Sequence, residues 1–203
     1  MTIRKGESWG EPGPLAADGI LVRDDRSASD ALATARRERR PLPELGLLGG
    51  DLARTVGATG DVDRLRSGDA RRLPVDLGTV LVDGRLELFV AHLVVRRAMW
   101  QGPFVVVMNA EYLGPWKMAP RAHPGDGLLD VLEGSLGLDD RLRARSRARA
   151  GDHVPHPSIR QRRVAAAQFD VPRGASVWLD GRRLGHATHL SVRLEPDALV
   201  AVV

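Results

Sequence analysis

The residues with the clearest chemical potential lie in one turn near the middle of the chain, His123-Pro124-Gly125-Asp126-Gly127-Leu128. Asp126 has a glycine on each side. Because glycine accepts unusual φ values, such a turn can direct backbone carbonyls and the carboxylate towards one point. Oxygen ligands of this kind suit a small hard cation such as Mg²⁺ or Ca²⁺. A plain tight turn that leads into a buried strand explains the same residues, so both interpretations stay open.

The residues on both sides of this turn follow a specific order. An apolar strand ends at Asn109, and a turn containing Gly114 comes next. The stretch resembles the C-terminal domain of the diacylglycerol kinase family, which includes bacterial lipid kinases and sphingosine kinases. Eight residues match the family segment in order: Met118, Pro120, Ala122, Asp126, Gly127, Leu129, Asp130 and Val131. The resemblance implies a Mg²⁺-like ion bound by Asp126 and by the backbone carbonyls of His123 and Leu128.

The first part of the chain predicts a small α/β fragment. Residues 1–18 are rich in Gly, Pro and charge without periodicity, which predicts a flexible tail. Two apolar strands and two helices then alternate: a strand at 19–22, a helix with a Ser27/Asp30 capping box, a strand at 45–48 and a helix at 51–56. This order predicts parallel pairing within residues 19–72.

That fragment resembles the nucleotide-binding lobe of the same family, in which a Gly-rich turn precedes each of two helices. Gly49, Gly50 and Asp51 fit the second turn and are expected to bind nucleotide. The first turn has charged residues in place of the three expected glycines and retains only Asp25, the implied catalytic residue. Long side chains obstruct the approach of backbone N–H groups to phosphate, although an arginine could hold the phosphate instead. The lobe is also truncated relative to the family.

Residues 73–203 predict an antiparallel β-sandwich, because many short strand patterns are separated by turns. An Asp83-Gly84 turn joins a predicted hairpin with strands at 75–82 and 86–95. The family's second domain is such a sandwich. The expected fold class is therefore α+β and predominantly β, with a C-terminal antiparallel β-sandwich preceded by a small α/β remnant.

One helix is predicted within the sandwich, from Leu138 to Ala150, capped by Asp139 and stopped by Gly151. Every second residue from Arg141 onwards is an arginine, so positive charge surrounds the helix instead of forming one stripe. Such a helix is either a solvated surface or a contact for anionic lipid headgroups.

Two further features bear on catalysis. Asp180-Gly181-Arg182 resembles the family's Asp-Gly-Glu turn, whose Glu assists proton removal from the lipid hydroxyl. Arg182 stays charged and cannot accept a proton. His92 lies in an apolar strand and is expected to be a core residue, not a base. The His153/His156 pair lacks a third fixed ligand, which argues against zinc.

Composition limits the functional classes. The chain has 203 residues and no cysteine, which excludes disulfides. Its net charge of +4 is small, so a nucleic-acid partner is not needed to explain it. We expect a cytoplasmic protein that is peripheral to the membrane. The sequence predicts a lipid kinase-like pseudokinase, in which ATP-dependent phosphoryl transfer to a lipid hydroxyl is impaired or lost, with Mg²⁺ and ATP as cofactors if the nucleotide site functions. The alternative is a non-catalytic lipid-binding or regulatory subunit that needs a partner subunit or a second copy.

Overall fold

The computed structural model describes residues 9–151, 153 and 156–203, apart from the side chain of Arg145. Residues 1–8 of the predicted tail lie outside the described residues. The strands are β1 (Glu11–Pro12), β2 (Ile20–Val22), β3 (Leu45–Leu47), β4 (Arg71–Val82), β5 (Arg85–Phe89), β6 (His92–Arg96), β7 (Gly102–Met108), β8 (Leu129–Leu136), β9 (Ile159–Val164), β10 (Ala166–Asp170), β11 (Ser176–Leu179), β12 (Arg182–Gly185) and β13 (His189–Val202). The helices are α1 (Asp25–Arg37), α2 (Asp51–Val56), α3 (Val62–Leu65) and α4 (Leu138–Arg147), with a 3₁₀ turn at Ala98–Trp100.

The strands form two sheets. In sheet A the order is β1, β4, β13, β3, β2, with β5 also paired to β4 and β10 to β13. In sheet B the order is β12, β11, β6, β7, β8, β9, and all of these pairs are antiparallel. The parallel pairs are β2 with β3 and β3 with β13. The predicted class, a predominantly β chain with a sandwich after a small α/β part, is confirmed.

Apolar residues alternate along the strands of sheet B, so each face of that sheet has its own core. Leu93 and Val95 of β6 pack between the two sheets, together with Phe89 of sheet A. Val94 and Met108 point to the opposite face, where the chain after β7 covers them. Full burial of one such side chain stabilises the fold by roughly 1.5–3 kcal/mol.

The predicted hairpin turn at Asp83-Gly84 is confirmed, but its second strand is not continuous. β5 stays in sheet A, and the chain then crosses through Val90 and Ala91 to sheet B, where β6 begins. Gly78 of β4 lies under the ring of Phe89, and a Cβ at this position would come within 2.3 Å of the ring. The crossing therefore depends on buried residues such as Gly78 and Phe89, which contact each other across the sheet.

The structure corrects three local predictions. Residues 9–14 do not behave as a free tail, because β1 pairs with β4 and the indole Nε1 of Trp9 donates to the carbonyl of Pro74 at 3.1 Å. The first helix begins at Asp25, after an Asp24 N-cap that bonds the N–H of Ser27 at 2.7 Å. α4 follows Gly137 and ends at Arg147, so Asp139 lies inside its first turn. The domain boundary predicted at residue 73 falls within β4 and stays a prediction.

Candidate functional site

Asp25, the predicted catalytic carboxylate, lies at the first position of α1 and is buried against the start of α2. Its Oδ2 accepts the N–H of Asp51 at 2.6 Å, and its Oδ1 accepts the N–H of Leu52 at 2.9 Å. These are the first two residues of α2, whose N-cap Gly50 has no side chain to bind them. Asp25 therefore caps α2 from a different helix.

The predicted nucleotide-binding residues Gly49 and Gly50 lie where the start of α1 meets the start of α2, which we call the α1–α2 junction. A Cβ on Gly49 would lie 2.6 Å from the carbonyl oxygen of Arg23, and one on Gly50 would lie 2.6 Å from Oδ1 of Asp25. Gly50 also has a φ of +105°, which favours glycine. The packing of this turn against the start of α1 is enough to require both glycines.

His92 contacts this junction from sheet B. Its Nε2–H donates to Oδ2 of Asp51 at 3.0 Å, and the same carboxylate oxygen accepts the N–H of Gly114 at 2.8 Å. The ligand-type atoms of Asp25, Asp51 and His92 all lie within 4.8 Å of one another. His92 is buried, as predicted for a core residue, but it bonds a carboxylate that belongs to the candidate site.

Asp180 is the buried acid that fixes the crossing between the sheets. Its Oδ2 accepts the N–H of Val90 at 2.8 Å, and its Oδ1 accepts those of Ala91 and His92 at 3.0 Å each. Burial raises the pKa of Asp180 above its ordinary value. When it is ionised, the Asp180 carboxylate acts electrostatically on Asp25 and His92.

Burial and mutual repulsion set the protonation of this group. Burial raises the pKa of Asp25 to about 7, the nearby charge of Asp180 adds to that rise, and the N–H bonds from α2 oppose it. For His92, burial alone lowers the pKa, but the bond to Asp51 and the charges of Asp180, Asp51 and Asp25 together raise it. The surroundings therefore favour the protonated forms of the His92 imidazole and of the Asp25 carboxyl more than water does.

Arg182, at the position where the resemblance implies a Glu, lies beside α1 and β5. Its guanidinium donates to Oε2 of Glu87 at 2.8 Å, and its Nε lies 3.9 Å from a carboxylate oxygen of Asp30. This position thus contains a cation that lies close to two acidic side chains.

The predicted cation turn is ordered by its own hydrogen bonds. Oδ1 of Asp126 accepts the N–H of Leu128 at 3.0 Å, and the carbonyl of His123 accepts the N–H of Asp126 at 3.3 Å. The guanidinium of Arg163 forms an ion pair with the other oxygen of Asp126. A cation bound by Asp126, His123 and Leu128 stays a prediction, but this carboxylate already has a cationic partner.

An apolar cavity of about 450 Å³ lies between α4 and the outer face of sheet B. Phe104 and Leu132 of sheet B form its floor, and residues of α4 and of the chain after β7 form its walls. Arg96, Arg141 and His153 also line it. A volume of this size lies within the range of small-molecule and cofactor sites.

One loop connects the cavity with the carboxylate group. Gly114 donates its N–H to Asp51, whereas Trp116, two residues later, lines the cavity. The carbonyl of Gly114 accepts from the guanidinium of Arg54 on α2 at 3.2 Å. A ligand in the cavity would therefore contact a loop that also bonds to α2.

Comparison with known proteins identifies the family. Residues 77–203 match the model of the YegS C-terminal NAD kinase beta sandwich-like domain, and this match covers more than half of the chain. The chain belongs to this family. Together with the structures named as diacylglycerol kinases that are described next, this match supports a bacterial lipid kinase family, so the resemblance inferred from the Asp126 turn is confirmed. A comparison with curated protein sequences found no match.

Solved structures support the same fold. A protein from Bacillus anthracis strain Sterne that is named as a diacylglycerol kinase superimposes with a TM-score of 0.65 at 15% identity, covering 91% of this chain and 77% of its own. A second diacylglycerol kinase structure from that strain gives a TM-score of 0.53 at 16% identity, covering 79% of this chain and 66% of its own. At these identities the likeness shows the fold.

The structure places Asp25, Gly50 and Asp51 next to one another, and it places the Asp126 turn elsewhere, beside β9. The catalytic and nucleotide-binding roles of the first three residues stay predictions. Sequence reasoning missed the contributions of His92 and Asp180. The only signal for Asp180 was its position in a turn that resembles a catalytic turn of the family. No helix in the described part of the chain is both long and apolar enough to cross a membrane.

Proposed function

We propose that this member of the YegS C-terminal domain family binds a lipid in the cavity under α4 and has impaired or lost phosphoryl transfer. The cavity is the observation that carries the proposal. Its lining is largely apolar, and it also includes Arg96, Arg141 and His153. This combination suits an acyl chain with a polar or anionic headgroup.

The mouth of the cavity supports contact with a membrane surface. Met99, Leu138 and Leu142 line the cavity and remain 73%, 65% and 62% exposed. Exposed apolar side chains grouped in this way are typical of a binding surface. The arginines of α4 adjoin them, and positive charge beside apolar residues favours anionic membrane interfaces.

Three features support impaired catalysis. Both carboxylate oxygens of Asp25 accept N–H groups of α2, which are the groups that a phosphate at this turn would need. A phosphate there would also face the charges of Asp51 and Asp180. Arg182 cannot act as the second base. Binding and activation of Mg²⁺-ATP are therefore disfavoured in this chain.

A cavity-filling variant tests lipid binding. In Ala144→Trp the indole would occupy the cavity, whereas Ser146→Trp adds the same ring at an exposed position on the same helix. The probe is a fluorescent fatty-acyl ligand, displaced by dioctanoylglycerol. We expect Ala144→Trp to weaken binding by about tenfold or more, equivalent to about 1.4 kcal/mol, and Ser146→Trp to leave it unchanged. Equal binding by both variants would exclude the cavity as the lipid site.

A second candidate function is active lipid phosphorylation, and the pKa of Asp25 favours it. A carboxyl with a pKa of about 7 is suited to general base catalysis near neutral pH. ATP-dependent phosphorylation of a lipid that Asp25→Ala abolishes would establish this function and overturn the proposed loss. Phosphorylation that persists in Asp25→Ala would point to a contaminating kinase.

If the protein needs a partner subunit, fewer strand edges are open for that partner than the sequence suggested. β3 is paired on both sides, so only β2 leaves that end of sheet A open among the described strands. Ile20 of β2 is an exposed apolar residue. Addition of a strand from a partner or a second copy would use this edge. A monomeric mass at micromolar concentration would argue against a homo-oligomer.

A further inference from the structure

Arg163 of β9 contacts two carboxylates, one in the Asp126 turn and one in the strand that follows it. Its terminal nitrogen forms an ion pair with Oδ2 of Asp126, and its Nε lies 3.2 Å from Oδ2 of Asp130 on β8. Asp130 is completely buried. One guanidinium therefore neutralises an acid in the turn and an acid in the adjacent strand, and a planar group with several fixed donors is well suited to do so.

The remaining oxygens of both acids also have donors. Oδ1 of Asp126 accepts the N–H of Leu128 at 3.0 Å, and Oδ1 of Asp130 accepts from Nε2 of Gln161 at 3.1 Å. Each of the four carboxylate oxygens is thus hydrogen-bonded within the protein. A divalent cation would have to displace Arg163 or bind next to its positive charge.

We propose that the guanidinium of Arg163 takes the place of a divalent cation in the Asp126 turn. The turn is then ordered without a metal ion. This inference concerns how the turn is stabilised and does not depend on lipid binding or on the catalytic state of the chain.

The neighbouring Asp76 connects the Asp126 turn to sheet A. Its Oδ2 accepts the N–H of Gly127 at 2.8 Å, and its Oδ1 accepts the N–H of Asp197 at 2.9 Å. Its own N–H donates to the carbonyl of Pro124 at 2.7 Å. The turn is thereby attached to β4 and β13 of sheet A, while Arg163 attaches it to sheet B. Loss of the guanidinium would loosen a connection between the two sheets.

The unmodified chain provides the first test. Thermal unfolding is measured in EDTA and then in Mg²⁺ or Ca²⁺, for the wild type and for Asp126→Asn. We expect the midpoint of the wild type to be the same in all three solutions. A midpoint that rises with either cation in the wild type, but not in Asp126→Asn, would overturn the proposal.

The second test removes the guanidinium. Arg163→Gln leaves Asp126 and Asp130 without a cation, so it should unfold at a lower temperature in EDTA. Mg²⁺ or Ca²⁺ should then raise its midpoint, by about 5–10 °C when the free cation is about 100 times its Kd. If Arg163→Gln is folded and neither cation raises its midpoint, the proposal is contradicted.

Arg162 supplies the matched control. It lies next to Arg163 on β9, its side chain is also 31% exposed, and its Nε pairs with Glu133 of β8 at 3.0 Å. Arg162→Gln should show no response to either cation. Tb³⁺ emission gives an independent readout, because the ring of Trp9 lies 4.5 Å from that of His123 and can sensitise a nearby ion. We expect saturable Tb³⁺ emission in Arg163→Gln alone, and equal emission in the wild type would contradict the proposal.

Discussion

Replacing Asp180 by alanine should strongly destabilise the protein, because its carboxylate accepts three buried backbone N–H groups where the chain crosses between the sheets. Each buried donor left without an acceptor costs about 1–3 kcal/mol. Release of the repulsion between Asp180 and Asp25 offsets part of this cost. We expect the free energy of unfolding to fall by about 3–6 kcal/mol, which for a chain of this size lowers the midpoint by about 6–24 °C.

Asp83 provides a matched control at a different Asp-Gly turn. It also accepts backbone N–H groups, those of Thr188 and His189, but it is exposed, so water can replace it. Urea unfolding followed by circular dichroism measures both losses. Asp83→Ala should cost much less than Asp180→Ala, and Asp180→Asn should be intermediate because one acceptor oxygen remains. Equal losses for the two alanine variants would refute the argument from burial.

Three other results are expected. Because the pKa of Asp25 is raised, the folded state keeps a proton that the unfolded state releases above about pH 4. The free energy of unfolding should therefore fall as the pH rises from about 4 to 7. Urea unfolding at several pH values should show a smaller slope for Asp25→Asn. Gly78→Ala should cost about 1–3 kcal/mol through its clash with Phe89, whereas Gly68→Ala, in open space, should be tolerated in the same assay. Binding to anionic vesicles, measured by co-sedimentation, should weaken as NaCl increases, and salt-independent binding would contradict a role for the arginines of α4.

The sequence predicted those parts of the fold that local patterns determine. The helix at Asp51–Val56 and the β-turn at Asp83-Gly84 were confirmed, because a glycine turn before a helix and an Asp-Gly pair between strands are local signals. The crossing at Val90 was missed. An apolar run continues through it, and only the distant carboxylate of Asp180 shows that the chain changes sheets there.

The site was predicted in part for the same reason. Asp25 and Asp51 were singled out by a resemblance to two turns of the family, and their catalytic and nucleotide-binding roles stay predictions. His92, in contrast, looks like any histidine in an apolar strand. Arg163 could not be distinguished from Arg162 by type, and period-two alternation says only that they point to opposite faces. Which face meets the Asp126 turn depends on the packing of the sandwich.

Calorimetric titration with Mg²⁺-ATP distinguishes a chain that has lost phosphoryl transfer from an active kinase, since a chain whose nucleotide turns no longer function should not bind the nucleotide. We expect no saturable heat, because Asp25 accepts the N–H groups of α2 that a phosphate would need. Saturable binding in the micromolar range would contradict this expectation and would favour the active lipid kinase.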